Sequence, residues 1–118
     1  MKDTSVMISS ILVKLNVSQH RVGFKYLRDV LVLLDNGTCT RLWDAYIITA
    51  EKHGVSIDAI EHGCRKAARE AIANSTSKAK VEIFGFDIVK ENKMGRNYFK
   101  VGEFVLYILS YINSKKRK

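Results

Sequence analysis

Basic and acidic side chains recur at helical spacing along the segment 56–69. Three cations, Arg65, Lys66 and Arg69, lie close together, and Glu61 precedes Arg65 by one helical turn. The planar guanidinium of arginine matches the O6 and N7 acceptors of guanine. Glu61 would either accept from the amino group of cytosine or orient Arg65 through its i, i+4 position. Arginine and lysine also bind phosphate oxygens. The segment therefore predicts binding to DNA, at base edges and at the phosphate backbone.

Further residues extend this predicted site. Ser56 and the first amides of the following helix would hold a phosphate at the positive end of the helix dipole, and His62 would donate to a base or a phosphate. The stretch 85–98 has no sustained period and carries three cations, so it is predicted to be an exposed basic loop that lies along phosphates. The predicted DNA-binding residues are Ser56, Asp58, Glu61, His62, Arg65, Lys66, Arg69, Lys90, Lys93 and Arg96.

Two helices joined by a tight turn must position these side chains. The first is predicted over 46–53, with Ile47, Ile48 and Ala50 packing inward. Gly54 follows where a left-handed residue commonly ends a helix, and Ser56 supplies the N-cap of the second helix.

Asp58 is the N-cap instead if the second helix begins slightly later. Apolar residues of this helix share one face, because residues three and four apart lie on the same side. They are Ile57, Ile60, Cys64, Ala67, Ala68 and Ala71. A helix, a glycine turn and a capped second helix with a basic outer face are typical of a DNA-binding helix-turn-helix.

The rest of the chain indicates an all-α fold. Proline is absent and apolar residues mostly recur at helical spacing, which predicts one domain over 1–118, a compact bundle of about six helices. The other four helices are predicted to begin near Ser5, His20, Ser77 and Lys100, and the basic tail 113–118 is typical of a solvated end. Residues expected to pack inward include Val6, Ile8, Val22, Tyr26, Trp43 and Phe104.

The charge and the composition limit the classes of function to be expected. A net charge of +8 and a pI near 9.6 favour an anionic partner. No paired nucleophile and base, glycine-rich phosphate loop or metal-ligand spacing is present, so we expect no enzyme, no cofactor and no metal site. Cys64 falls on the apolar face and is predicted to be a buried thiol. The absence of a signal peptide and of a long apolar run predicts a cytoplasmic protein without a membrane span.

Two alternatives to sequence-specific DNA binding remain at this point. The charges between Asp58 and Glu70 sum to zero, and mixed charge on a helix is also typical of an ordinary solvated surface. The final helix ends in lysines and carries Phe104, Tyr107 and Tyr111, so a basic module that binds an acidic protein or an anionic membrane surface is the second alternative.

Several short runs, taken in order, resemble a known family. They are Gly23, Phe24, Lys25, Tyr26, Leu27 and Arg28; Ile60, Glu61 and Arg65; Phe84, Gly85 and Phe86; and Gly102, Glu103 and Phe104. Their order and spacing resemble the C-terminal effector domain of the sporulation-initiation response regulator of spore-forming Firmicutes. The resemblance extends over nearly the whole chain, apart from extra residues in the loop that contains Lys93.

The resemblance implies a six-helix transcription regulator that reads a promoter box similar to TGTCGAA. It further implies binding to tandem boxes as a dimer and contact with the sigma factor of RNA polymerase. Glu61 and Arg65 match residues of the family's recognition helix, whereas His62 and Lys66 replace an arginine and a histidine. The family's receiver domain has no counterpart here, which predicts either an excised effector domain or a free-standing one.

Overall fold

The structure is a computed structural model that describes residues 4–85 and 100–116. Throughout these two ranges the fold is all-α, as predicted, and six helices build a compact bundle. The helices are α1 (Thr4–Lys14), α2 (Val22–Asp35), α3 (Leu42–His53), α4 (Ile57–Asn74), α5 (Ser77–Phe84) and α6 (Val101–Lys116).

Helix α2 lies at the centre of the bundle and packs against α1, α3, α4 and α6. Its apolar face repeats at helical spacing and meets the faces of its neighbours in a single core. Side chains with no exposed surface include Ile8, Leu12, Leu27, Leu31, Ile60, Phe104 and Ile108. Burial of Ile8 and Phe104 confirms the prediction for those two residues.

The junction between α3 and α4 follows from its residue types. Gly54 adopts a left-handed conformation with φ of 65°, and its amide donates to the carbonyls of Ala50 and Glu51. The side chain of Ser56 then accepts from the amide of Ala59 at 3.1 Å. Both features confirm the predicted glycine C-cap and serine N-cap, and they turn the chain within three residues.

Four apolar residues expected to pack inward are exposed instead: Val6, Val22, Trp43 and Ile48. For α3, the helix begins at Leu42 rather than at position 46. The buried residues of α3 are Ala45, Tyr46, Thr49 and Ala50. Because a helix turns by about 100° per residue, position 48 falls well outside that buried face, and position 43 lies at its edge in the first turn of the helix. Tyr26 is half-buried rather than part of the core.

A buried carboxylate ties α3 to α2. The Oδ2 atom of Asp29 lies 2.7 Å from His53 Nε2 and 3.2 Å from Lys52 Nζ. Burial raises the pKa of Asp29, but the hydrogen bonds from His53 and Lys52 outweigh it and hold the pKa below its ordinary value. The ring of Tyr26 packs edge-on against His53, with centroids 5.0 Å apart. The end of α3 just before the turn is therefore fixed to α2.

Candidate functional site

Helix α4 has one buried face and one solvent-exposed face. Ile60, Gly63, Cys64, Ala67, Ala68, Ala71 and Ile72 are buried. The exposed residues include His62, Arg65, Lys66 and Arg69. The predicted amphipathic division of this helix is confirmed, except that Ile57 is only half-buried.

Glu61 and Arg65 are the two predicted residues of α4 that contact each other. Arg65 Nη2 lies 3.4 Å from Glu61 Oε1, one helical turn away, and both side chains are about two-fifths exposed. At this exposure the ion pair contributes little to stability. The pair places the carboxylate of Glu61 on one side of the guanidinium. Within the described ranges, neither Lys66 nor Arg69 has an ion pair.

At the start of α4, the two predicted residues Ser56 and Asp58 act in opposite directions on a bound anion. The side-chain oxygen of Ser56 already accepts from an amide, which leaves its hydroxyl hydrogen as the group to donate to a phosphate. Asp58 is exposed in the first helical turn. Its carboxylate stabilises the helix dipole and at the same time disfavours a phosphate at this end.

A groove of about 620 Å³ lies on one side of α4, between α4 and the start of α2. We call it the glycine groove; its lining includes Arg21, Gly23, His62, Gly63, Lys66 and Glu70. The backbones of α2 and α4 touch here: a Cβ atom added to Gly23 would lie 2.6 Å from the carbonyl oxygen of Gly63. In the same groove, Arg21 Nε lies 3.9 Å from Glu70 Oε2.

A second groove of about 580 Å³ lies on the other side of α4, facing the starts of α3 and α6. We call it the tryptophan groove; its lining includes Trp43, Tyr46, Glu61, Arg65, Arg69 and Lys100. Trp43 is 52% exposed, and its ring packs edge-on against Tyr46 with centroids 6.1 Å apart. Three cations and an exposed indole thus surround one carboxylate.

The structure divides the predicted site residues between these grooves. Glu61, Arg65 and Arg69 line the tryptophan groove, and His62 and Lys66 line the glycine groove. Trp43, Lys100 and Arg21 were not predicted as site residues. Lys100 had one usable signal, a cation immediately before a predicted helix. The basic loop residues Lys90, Lys93 and Arg96 lie outside the described residues.

The described part of the chain includes histidine, cysteine and acidic side chains, the residue types that hold metal ions. It contains no group of three or more histidine, cysteine, aspartate and glutamate side chains placed to hold a metal ion. Both cysteines are buried and unpaired. Burial raises the pKa of the Cys64 thiol to about 12, so this thiol stays protonated, as predicted for a structural residue.

Comparison with known proteins does not assign the chain to a family. No protein-family model matches the sequence, and no curated protein is significantly similar to it. Among the described helices, none combines the length and apolar character that crossing a bilayer requires.

Proposed function

We propose that this protein is a transcription regulator that binds double-stranded DNA with sequence preference, inserting α4 into the major groove. One observation carries the proposal: the polar side chains of α4, including Arg65 and Arg69, face solvent while the opposite face of the same helix is buried in the core. The core fixes the helix, and its donors remain available to a ligand.

The dimensions of α4 support insertion into the major groove. A helix with side chains is about 10 to 12 Å in diameter, and the major groove of B-DNA is about 12 Å wide. Helices α3 and α4, joined by Gly54, Val55 and Ser56, then serve as a helix-turn-helix, with α4 as the recognition helix. The net charge of +8 provides long-range attraction to the phosphate backbone.

Arg65 is the proposed base-reading residue. Its guanidinium can donate two parallel hydrogen bonds to O6 and N7 of guanine, and Glu61 lies beside it, one helical turn away. His62 and Lys66, both exposed on α4, would donate to neighbouring bases or phosphates. The finer parts of the proposal come from the family resemblance: a TGTCGAA-like box, a dimer on tandem boxes, and contact with sigma factor.

Selection of bound duplexes from a random pool tests the proposal. We expect enrichment of one short sequence. Arg65→Ala should then weaken binding to the enriched duplex by about 1 to 3 kcal/mol and relax selection at one base pair. Lys78→Ala removes a charge from the exposed surface of α5, away from both grooves, and should leave the preference unchanged.

A pool from which no sequence is enriched would contradict the proposed function. An Arg65→Ala protein with the same sequence preference as the wild type would contradict the base-reading role of Arg65 alone. If random DNA and an acidic polypeptide competed equally well for the protein, the result would instead favour the alternative of a basic module that binds an acidic protein.

A further inference from the structure

We propose that the tryptophan groove holds one sugar-phosphate strand of the duplex, with Arg69 and Lys100 contacting phosphates and Trp43 packing against deoxyribose. This inference rests on the proposed function and extends it. It assigns DNA contacts to two residues outside the recognition helix: an exposed aromatic residue of α3 and a lysine that precedes α6.

The position of the groove follows from the shape of a duplex. A helix that lies in the major groove has one phosphate backbone on each side, because the groove is barely wider than the helix. The glycine groove and the tryptophan groove lie along the two sides of α4. Each groove therefore faces a different strand when α4 reads base edges.

The charges of the tryptophan groove favour a phosphate backbone. Three cations face one carboxylate, and that carboxylate is already engaged, since Glu61 lies 3.4 Å from Arg65. Arg69 and Lys100 remain without an ion-pair partner among residues 4–85 and 100–116. In the glycine groove the balance is weaker, because Glu70 faces Arg21 and Lys66 and pairs with Arg21.

Trp43 provides the second, independent observation. Single exposed apolar residues are common on protein surfaces, so exposure alone does not identify a site. Here, however, the exposed indole shares a groove with three cations and packs edge-on against the buried ring of Tyr46. An apolar ring beside cations matches the chemistry of a nucleic-acid strand, which presents apolar sugar faces next to charged phosphates.

Trp43 is the only tryptophan in the sequence, so its fluorescence reports directly on this groove. We expect saturation with the duplex enriched from the random pool to lower the acrylamide quenching constant by about twofold, because a ring that is 52% exposed becomes covered. An unchanged quenching constant at saturating duplex would overturn the inference.

Substitution of Lys100 tests the phosphate contact. Lys100→Ala should reduce the slope of log affinity against log salt concentration by about 0.9, with the preferred sequence unchanged. Lys78→Ala is the matched control, and we expect it to keep the wild-type slope. Lys100 lies outside the helices, and thermal unfolding of both variants checks that the fold is retained. A wild-type slope in Lys100→Ala would overturn the inference.

Failure of this inference is distinguishable from failure of the proposed function. If the pool enriches a sequence and Arg65→Ala relaxes it, while Trp43 quenching and the Lys100→Ala slope stay unchanged, only the strand contact is wrong. If no sequence is enriched, the proposed function is wrong as well. Equal protection of Trp43 by polyglutamate and by the duplex at one ionic strength would assign the groove to acidic polypeptides and overturn the strand contact.

Discussion

The two grooves beside α4 are similar in volume but are built differently. In the glycine groove, α2 and α4 meet backbone to backbone at Gly23 and Gly63. In the tryptophan groove, side chains form the walls, and a Cβ atom added to Gly102 would meet nothing within 4 Å. Close backbone contact permits little adjustment, whereas side chains can move. The contact at the glycine groove therefore restricts the position of α4, whereas the tryptophan groove can adjust its shape.

Gly23→Ala, in the glycine groove, is expected to change the free energy of unfolding most. The new methyl group would overlap the carbonyl oxygen of Gly63, a backbone atom that cannot rotate away. We expect a loss of about 1 to 3 kcal/mol in the free energy of unfolding, measured by urea denaturation, because α2 and α4 must separate.

Gly102→Ala is the matched control in the tryptophan groove. Alanine favours helix, and the space around position 102 is open, so we expect a gain in stability between zero and about 1 kcal/mol. If the two alanine variants were equally stable, the glycine contact would not be what positions α4.

Asp29→Asn tests how strongly the C-terminal end of α3, next to the turn, is held to α2, in comparison with the contact between Gly23 and Gly63. The amide keeps the shape of the carboxylate but loses the charge that binds His53 and Lys52. We expect a loss of about 1 to 2 kcal/mol in the free energy of unfolding at pH 7.

The difference in the free energy of unfolding between the wild type and Asp29→Asn should depend on pH in a defined direction. The folded pKa of Asp29 lies below its ordinary value of 3.8, so its contribution is fully present above that value. The contribution is lost as pH falls through the lower folded pKa. Urea denaturation of both proteins between about pH 4 and pH 2 should therefore show a difference that shrinks as the pH falls. A difference that stayed the same down to about pH 2 would contradict the assignment.

Glu70→Gln is expected to have the smallest effect, and it should raise DNA affinity rather than lower stability. Glutamine can still accept from the amide of Ser18, which lies 3.4 Å from Glu70 Oε1, but the negative charge of the glycine groove is removed. We expect DNA affinity to rise by about two- to fivefold, measured by fluorescence titration. Glu51→Gln removes an exposed charge outside both grooves and should change affinity less. Equal effects would mean that net charge, rather than the groove, controls affinity.

Local features of the fold were predictable from the sequence because they depend on neighbouring residues. Gly54 ends α3 and Ser56 caps α4 through contacts within a few positions of the chain. The same holds for the division of α4 into a buried and an exposed face, since its apolar residues recur with the period of the helix. The exposure of Arg65, Lys66 and Arg69 was predictable for that reason.

Features that depend on distant residues were not predictable. The partners of Asp29 include His53, 24 positions further along the chain. The contact between Gly23 and Gly63 likewise requires the packing of two separate helices. The sequence predicts Trp43 in the core, but the residue lies in the first turn of α3, at the edge of the buried face, and is exposed. Hydrophobicity predicts which residues are available for a core and leaves their final orientation to the packing of the helices.

The opposite faces of α4 make this helix suitable for retargeting. Positions 58, 62, 65, 66 and 69 are exposed, so a combinatorial library randomised there leaves the apolar stripe of the helix intact. Exposed substitutions usually change the free energy of unfolding by no more than about 0.5 kcal/mol. Substitutions made one at a time at these positions should therefore leave the fold intact while changing the exposed chemistry of α4.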